Sequence, residues 1–599
     1  MRILKQVACL LICLFSITAS LSALALENRL SPLGINTNEV MDINSSVPFV
    51  DLFKLASSFD EARPWLTKGN IRYDEHGWPS NLNGGQAGTR FINNLPAVSL
   101  PQGIYTVLYQ GRGKIKYGGN VRLLRSYSGK DLIQLKPNHE RRITATLTIV
   151  ESDMKDYLRD IRIIMPGGIC KDSPNVRVKH ANECGHKPFL SFVSNHPKIL
   201  FNPDYLDFMK DFRVIRFMNM SGITRNNLSE WEKRPKMTDA TWGGKEGVRG
   251  APIEVMVALA NAVKADPWFN LPHRADNNFV LQMARYVKTN LKPGLKSYIE
   301  YTNEAWNGLF TQAHFVKDQG VHLGLDANRT YAGFKYYSRR SVEIFKIWER
   351  EFGNTHRLVR VMGGMATNVP MTHMVLGFED AFRHVDALAV APYFHADQKA
   401  QKSVRSVNEL FALLKSPQNK YSIPSTIKVL KRQSVALKRY GIDMIAYEGG
   451  QHLVAYKTHS HKEGTNPILI QANKDKRMAN LYYQFLQGWK DAGGKLFVAF
   501  SAPREYNHIG SWGIKEYITQ SVNDAPKYQG LMYFKKNNRC WWTNCATTRP
   551  IARMRKPDFN PAASVMARRF KPALPRVKPT VVLATTEDPK VRLRSFLDN

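Results

Sequence analysis

Two glutamates occupy positions where a carboxylate could take part in chemistry. Glu304 lies in the segment EYTNEAWN (residues 300–307), and Glu448 lies in the segment AYEGG (residues 446–450). Each follows a short apolar run of the kind that forms a buried strand. Two carboxylates that face each other across a sugar ring are the minimal apparatus for glycoside hydrolysis, because one protonates the leaving oxygen while the other attacks the anomeric carbon or activates water. A helix cap or a salt-bridge partner is the alternative for either residue taken alone.

Short apolar runs alternate with long amphipathic segments from about residue 204 onwards, a pattern typical of βα units around a parallel sheet. Together with residues 33–35 there are eight such runs, so the sequence predicts an α/β fold of the (β/α)8 barrel type. A doubly wound open sheet is the alternative, but no glycine-rich dinucleotide fingerprint follows the first strand. The other runs are at residues 214–218, 268–271, 298–301, 358–362, 387–391, 444–447 and 496–500.

Polar or aromatic residues follow most of these predicted strands. They include Asn219, His273, Asn303, Tyr393 and Glu448. In a (β/α)8 barrel the carboxyl ends of the strands meet at one face, and that face carries the active site. We therefore expect these side chains to lie near one another.

A β-rich block interrupts the barrel pattern after its first unit. Alternating runs such as residues 105–109 and 143–149, with glycine and asparagine turns between some of them, are typical of a small antiparallel sandwich. We therefore expect the first βα unit in residues 26–70, with a helix over 53–65. The next segment, residues 71–190, is expected to form an inserted β-sandwich-like domain. The remainder of the catalytic barrel is expected in residues 191–535.

The first 25 residues have the features of a secretory signal peptide. Arg2 and Lys5 precede a nearly uninterrupted apolar run over residues 7–17, and Ala-Leu-Ala at 23–25 offers a cleavage site. The run is shorter than the ~20 residues that span a bilayer, so we expect no transmembrane anchor. We therefore expect a secreted or periplasmic protein, and association with the cell surface is compatible with this prediction.

Four cysteines remain after the signal, in two local pairs: Cys170 with Cys184, and Cys540 with Cys545. Disulfides are the first interpretation of such pairs in an exported protein. A zinc site is the alternative, but the pairs are far apart and lack tight Cys-x-x-Cys spacing.

The formal net charge of +35 indicates an anionic partner. Part of the excess lies in residues 536–599, which combine the second cysteine pair with a basic, proline-containing tail. Nucleic acid is a poor candidate because no nucleic-acid-binding module is recognisable. An anionic polysaccharide or a negatively charged cell surface fits better, and a basic surface without a specific partner is the alternative.

The context of the two glutamates resembles the retaining glycoside hydrolases of clan A, and EYTNEAWN is similar to exported bacterial proteins labelled as cellulose-binding or as glycoside hydrolases. The resemblance covers most of residues 30–85 and 200–535. It implies that Glu304 is the general acid/base and Glu448 the nucleophile. It also implies that Asn303 binds the 2-hydroxyl of the reacting sugar. Retention requires carboxyl groups about 5–5.5 Å apart.

The same resemblance assigns supporting residues. Arg216 would hydrogen-bond the nucleophile and lower its pKa, and Tyr393 would orient the same carboxylate. His273 would sit near the reacting sugar, with a structural hydrogen bond as the alternative. The sequence departs from the clan in two places. Ala391 stands where many relatives have a histidine, and residues 500–502 (Phe-Ser-Ala) stand where a tryptophan is common.

Three tryptophans lie in loops from which an indole could stack on a sugar ring. Trp512 could replace the missing platform, with ordinary loop packing as the alternative. Trp306 and Trp242 each lie in a polar loop that contains Gly or Asn. No serine or cysteine nucleophile motif, phosphate-binding loop or His-Glu-x-x-His motif is present, so we expect no cofactor and no metal. A polysaccharide hydrolase is the favoured function. A non-catalytic carbohydrate-binding or cell-surface protein built on a glycosidase barrel is the alternative.

Overall fold

The structure is a computed structural model that describes residues 28–62, 69–244, 249–455, 466–507, 510–542 and 545. The expected signal peptide at 1–25 lies outside the described residues. So does the basic tail from residue 546 onwards.

Eight parallel strands close into a barrel, which confirms the predicted (β/α)8 architecture. The first strand pairs on one side with the second (Gly34 with Val214) and on the other with the eighth (Gly34 with Val498), so the sheet has no free edge. The barrel strands are Leu33–Asn36, Val214–Arg216, Asp266–Leu271, Ser297–Tyr301, Leu358–Gly363, Ala387–Val390, Asp443–Ala446 and Gly494–Ala499.

The interior of the barrel is filled in layers, because alternate residues of a strand point to the same face. One layered cluster is apolar and includes Val214, Trp268, Tyr298 and Ile445. Two residues further along the second and fourth strands, towards their carboxyl ends, the inward positions are charged: Arg216 and Glu300 are both buried. The barrel therefore has an apolar base and a polar layer above it.

Helices cover the outside of the barrel, and polar caps set where several of them begin. Asp276 accepts a hydrogen bond from the Phe279 amide at the start of Asn277–Asn290. The longest helix, Arg329–Phe352, buries an apolar face and ends at Gly353, whose φ of 76° suits glycine. The other helices are Phe192–Asn195, Pro203–Met209, Ile253–Val263, Thr311–His322, Val369–Gly377, Gln398–Ser403, Val407–Lys415, Ile423–Lys438, Asn466–Lys474, Arg477–Asp491 and Pro526–Asn537.

The block inserted after the first strand consists mainly of two antiparallel four-stranded sheets. The first is ordered Asp60–Glu61, Ala87–Pro96, Arg142–Ser152 and Gly113–Gly119. The second is ordered Arg159–Ile164, Ile104–Gln110, Lys130–Leu135 and Val121–Tyr127. Because Asp60–Glu61 pairs within the first sheet, this sheet begins before residue 71. The helix expected over 53–65 is wrong: a 3-10 turn at Leu52–Leu55 is followed by this extended segment.

Smaller sheets complete the strand inventory. A three-stranded sheet follows the sandwich, and two two-stranded sheets lie elsewhere in the chain. The three-stranded sheet is formed by Gly168–Cys170, Arg177–Val178 and Phe189–Ser191, and the two-stranded sheets pair Arg72–Tyr73 with Pro79–Asn81 and Tyr393–Phe394 with Gly450–Gln451.

Both predicted disulfides are formed. Cys170 bonds to Cys184 beside the three-stranded sheet, and Cys540 bonds to Cys545. The second pair is anchored to the barrel, since the Cys540 amide donates to the Leu30 carbonyl at 2.8 Å and Arg213 contacts the sulfur of Cys545 at 2.8 Å. Across the described ranges, no helix is both long and apolar enough to cross a membrane.

The inserted domain contacts the loop that follows the eighth barrel strand. Arg142 forms two hydrogen bonds with the Glu505 carboxylate, at 2.6 and 2.7 Å. Arg90 pairs with Asp42 at 2.6 Å, close to the first strand. These ion pairs hold the inserted domain against the loops at the carboxyl-terminal face of the barrel, where active sites of this fold lie.

Candidate active site

Arg216 lies at the centre of the polar layer and is fully buried. Its guanidinium donates to Glu300 at 3.0 and 3.2 Å. Glu300 also accepts hydrogen bonds from the Trp268 indole at 2.9 Å and from Asn270 at 2.6 Å. A buried carboxylate is stable only with such partners, so Glu300 neutralises and fixes the arginine rather than facing solvent.

The same guanidinium joins the two sequence motifs. Arg216 donates to Glu448 at 3.4 Å, to the Asn303 side-chain oxygen at 3.0 Å and to that of Asn36 at 3.1 Å. The fork of N–H donors on arginine makes several simultaneous contacts possible. The fourth and seventh strands therefore deliver Asn303 and Glu448 to one cation.

Glu448 has a second donor in Tyr393, whose hydroxyl lies 3.1 Å from the carboxylate. The short strand Tyr393–Phe394 pairs in parallel with Gly450–Gln451, immediately beyond Glu448. This small sheet continues the sixth and seventh barrel strands and sets the tyrosine against the carboxylate.

Glu304 is held in a rare backbone conformation. Its φ is 40°, in the left-handed region that few residues other than glycine adopt. Its two carboxylate oxygens accept hydrogen bonds from the Tyr447 hydroxyl and from the side-chain NH₂ group of Asn307, the latter at 2.8 Å. Such a conformation persists where surrounding contacts enforce it, and such positions cluster at functional sites.

Burial and the negative charge of Glu304 raise the pKa of Glu448 to about 8. Arg216 and Tyr393 lower that pKa, as expected, but they do not outweigh the first two effects. Arg216 therefore acts on this carboxylate in the expected direction, and burial together with the neighbouring Glu304 acts against it. Burial also raises the pKa of Glu300, which Arg216 opposes.

His273 is not joined to this network. Its side chain is buried and packs edge-on against Phe315, with ring centroids 5.2 Å apart. Neither ring nitrogen has a hydrogen-bond partner among the described residues. Burial and the nearby Arg274 lower the pKa of His273 to about 4, so its imidazole is neutral at physiological pH.

The tryptophans have different surroundings. Trp306 packs edge-on against Tyr337 and Tyr447, with centroids 6.0 and 6.5 Å apart, so it forms part of the wall behind the site. Trp512 lies 6.0 Å from the ring of His452, which in turn lies 5.2 Å from Tyr393. The ring of His452 therefore lies between Trp512 and Tyr393, the partner of Glu448.

The expectation that Trp242 stacks on a sugar is wrong. Its side chain is 1% exposed. It packs edge-on against Phe49 at 5.2 Å and beneath the Lys54 ammonium at 5.0 Å. Its loop folds back onto the region between the barrel and the inserted domain, so the indole belongs to the core.

Three further members of the site, Glu300, Tyr447 and Asn36, are not marked by the motifs described above. The missed signal was the two-residue periodicity of strands. Glu300 is two residues after the inward Tyr298, and Tyr447 is two residues after the inward Ile445. This alternation, continued to the end of each strand, predicts that both side chains point into the barrel.

The described residues contain no group of three or more His, Cys, Asp or Glu side chains that could hold a metal ion. The positive charge beside Glu448 is supplied by Arg216. With two carboxyls, two tyrosine hydroxyls and one guanidinium, the arrangement can transfer protons and can present a carboxylate as a nucleophile.

No protein-family description matches the chain, and no curated protein matches it in sequence. Solved structures with similar folds include a 4-O-α-L-rhamnosyl-β-D-glucuronidase from Fusarium oxysporum 12S, at 12% identity and a TM-score of 0.34. The similarity covers 54% of this chain and 61% of that one, so the chain matches less than two thirds of that enzyme.

Two further structures show similarity of the same order. A GH5-4 broad-specificity endoglucanase from Clostridium longisporum is 11% identical, with a TM-score of 0.33, and the match covers 56% of this chain and 85% of that one. A family 5 xyloglucanase from Paenibacillus pabuli is 9% identical, with a TM-score of 0.34, and the match covers 62% and 96%. Values this low do not bear on the activity of the present chain.

Proposed function

We propose that the protein is a retaining glycoside hydrolase that cleaves a β-linked polysaccharide or oligosaccharide. The observation that supports this most is the single hydrogen-bond network in which Arg216 contacts both Asn303 and Glu448. Glu304 follows Asn303 directly in sequence, and its charge raises the pKa of Glu448, so the two carboxyls interact electrostatically. Paired carboxyls on the carboxyl-terminal face of a barrel are the apparatus of glycoside hydrolysis.

The two coupled carboxyls share a proton, and the proposed reaction starts from the form that carries it on Glu304. Glu304 donates this proton to the glycosidic oxygen while the Glu448 carboxylate attacks the anomeric carbon. The C–O bond to the leaving sugar breaks, and a glycosyl ester forms on Glu448. Glu304, now ionised, removes a proton from water, which attacks the same carbon and releases Glu448. Two displacements at one centre restore its original configuration.

The neighbouring groups have separate tasks in this proposal. Arg216 and Tyr393 hold the Glu448 carboxylate in position for attack. Because the side-chain oxygen of Asn303 accepts from Arg216, its NH₂ group is left to donate to the 2-hydroxyl of the sugar. Trp512 supplies an apolar surface for the sugar beside the tyrosine.

The test combines single substitutions with a panel of β-linked glycans. We expect Glu304→Gln and Glu448→Gln each to lower kcat at least 10³-fold on the substrate that wild type cleaves. Azide should restore turnover of an activated glycoside by Glu304→Ala and form a β-glycosyl azide. By contrast, Glu448→Ala with azide should form the α-anomer.

Two results would contradict the assignment. If both glutamine variants cleaved the substrate as fast as wild type, Glu304 and Glu448 would not be the catalytic residues. A first-formed product of inverted configuration, seen by NMR, would exclude the double displacement. Circular dichroism of each variant checks that the fold is intact.

A non-catalytic carbohydrate-binding protein is the second candidate. The raised pKa of Glu448 favours it, since a protonated carboxyl is not a nucleophile at neutral pH. Glycan binding without cleavage of any member of the panel between pH 6 and 9 would establish this alternative.

We also propose that the protein is exported to the periplasm or the extracellular space. The two disulfides support this, because such bonds persist in oxidising compartments. Mass spectrometry of the mature protein would test it through the expected new N-terminus after residue 25.

A further inference from the structure

A cavity lies at the junction between the inserted domain and the barrel. It has a volume of about 600 Å³. Residues from the inserted sheets form one side, and Tyr517 and Thr519, from the loop after the eighth barrel strand, form another. The Thr519 hydroxyl donates to the Val98 carbonyl at 2.6 Å across this junction. Ligand sites occur preferentially at domain interfaces of this kind.

The charged residues lining this cavity are all cationic. Arg141, Arg177 and Lys179 contribute to the lining, which includes no aspartate or glutamate. Arg177 pairs with Asp204 outside the lining, at 3.1 Å. Within the described ranges, no salt bridge joins the Arg141 guanidinium or the Lys179 ammonium to a carboxylate. Glu183 lies near Lys179 and accepts a hydrogen bond from its backbone amide at 2.7 Å, so Arg141 is the less compensated of the two cations. A concave surface lined by one sign of charge concentrates ligands of the opposite sign.

The remaining lining suits a sugar ring. Gln102 and Gln134 supply amide groups that can donate to and accept from hydroxyls. Val98, which is 47% exposed, and the half-buried Leu135 and Tyr517 supply apolar surface for the C–H faces of a pyranose. Amides, apolar surface and unpaired cations together match a sugar that carries a negative charge.

The backbone that carries Arg141 is fixed. The Arg141 amide donates to Asn138 at 3.0 Å, and its carbonyl accepts from the Ala97 amide at 2.9 Å. Its neighbour Arg142 is bonded to Glu505, as described above. The backbone of Arg141 is therefore already ordered in the free protein, and only its exposed side chain has to be ordered on binding.

We propose that this cavity binds a carboxylated sugar residue of an acidic polysaccharide. The guanidinium of Arg141 matches the two oxygens of a carboxylate, and Lys179 adds a second positive charge. The binding would give the inserted domain a role in holding a glycan chain. It does not depend on cleavage at Glu304 and Glu448, so it stands or falls separately from the proposed function.

The cavity also lies on the side of the barrel that carries the candidate active site. Glu505, which pairs with Arg142, directly follows Arg504, whose guanidinium lies 5.9 Å from the ring of Trp512. Trp512 packs against His452, which in turn packs against Tyr393, the hydrogen-bond donor to Glu448. A glycan chain held at the cavity would therefore lie next to the loop that borders this site.

Binding is measured by titration calorimetry with two β-1,4-linked hexamers that differ in charge: a mannuronate hexamer and cellohexaose. The full-length protein carries Glu448→Gln in these measurements, so that neither ligand is consumed. We expect the mannuronate hexamer to bind and cellohexaose to bind at least tenfold more weakly. Raising the salt concentration from 50 to 500 mM should lower the affinity for the mannuronate hexamer, since screening reduces the attraction between charges.

The variants Arg141→Ala and Lys179→Ala should each lower the affinity for the mannuronate hexamer about fivefold, since an exposed charge pair contributes a free energy of that size. Arg177 is not substituted, because its partner Asp204 would be left unpaired. Lys130→Ala is the matched control, since this exposed lysine belongs to the inserted domain but not to the cavity.

Three outcomes would overturn the proposal. The first is equal affinity for the two hexamers. The second is a loss of affinity in Lys130→Ala equal to that in the cavity variants, which would indicate general attraction of the ligand by a basic surface. The third is no binding of either the mannuronate hexamer or a galacturonate hexamer.

Discussion

At the scale of single residues, the protonation of Glu448 decides whether the site can act. A buried carboxyl next to another carboxylate resists ionisation, and one arginine and one tyrosine do not compensate fully. Since Arg216 is shared with Glu300, only part of its charge serves Glu448. The pH dependence of activity and of stability should both report this balance.

If the proposed function is right, kcat/KM should rise with pH up to about 8, because Glu448 must lose its proton before it can attack. Glu304→Gln removes the negative charge that raises this pKa, so the rise should move to lower pH. The measurement uses an aryl glycoside of the sugar found by the panel, whose good leaving group needs no proton. Glu232→Gln, at an exposed carboxylate, is the control. An unchanged profile in Glu304→Gln would contradict the electrostatic coupling.

The same pKa predicts an effect on stability that needs no substrate. The folded protein binds the Glu448 proton up to about pH 8, whereas the unfolded chain releases it near 4.5. Folding therefore becomes less favourable as pH rises between these values, and the full cost is present above pH 8. Glu448→Gln should raise the free energy of unfolding at pH 9 by on the order of a few kcal/mol and change it little at pH 4. Thermal unfolding at both pH values checks this, and a variant destabilised equally at both would contradict it.

At the scale of elements, the fifth barrel strand positions the loop that carries Glu304. A Cβ on Gly363, the last residue of that strand, would lie 2.7 Å from the indole of Trp306, closer than carbon atoms approach. Glycine at this position therefore lets Trp306 pack against the strand. Trp306 in turn packs beside Tyr447, which donates to Glu304.

Gly363→Ala should push Trp306 away and destabilise the protein by roughly 1–3 kcal/mol, the usual cost of overpacking. If the site is catalytic, kcat should also fall, since Tyr447 and Glu304 lose support. The change is measured by tryptophan fluorescence and thermal unfolding. Gly308→Ala is the control, because its Cβ would meet nothing within 4 Å in the same loop. Equal effects of the two substitutions would argue against the packing role.

At the scale of the whole molecule, two disulfides restrain different regions. Cys170–Cys184 closes a segment with a sequence separation of 14, and Cys540–Cys545 one with a separation of 5. Trp541, within the second segment, donates to the Gly494 carbonyl at 3.2 Å, so this segment also packs on the barrel. Chain entropy therefore predicts that Cys170–Cys184 contributes more to stability, whereas packing on the barrel favours Cys540–Cys545.

Loop-closure entropy predicts that replacing both cysteines by serine costs roughly 3 kcal/mol for the first disulfide and roughly 2 kcal/mol for the second. We expect Cys170→Ser/Cys184→Ser to lower Tm more than Cys540→Ser/Cys545→Ser. Differential scanning calorimetry of the two double variants, with the reduced wild type as reference, measures this. A larger loss for the second pair would show that its packing on the barrel outweighs entropy.

Much of this protein could be predicted from sequence because its signals are local. Eight apolar runs with amphipathic segments between them specified the barrel, and the cysteine spacing specified both disulfides. The polar residues that follow the strands marked Glu304, Asn303, Tyr393 and Glu448 as candidates, since the fold brings strand ends together.

Tertiary structure decided what depends on neighbours distant in sequence. The burial of Trp242, the isolation of His273 and the sharing of Arg216 between Glu300 and Glu448 all arise from packing between separate elements. The raised pKa of Glu448 does too, because desolvation and charge depend on distances in space. The sequence alone thus determined which strands and carboxylates the barrel has, whereas their protonation and partners were determined only once the chain closed around them.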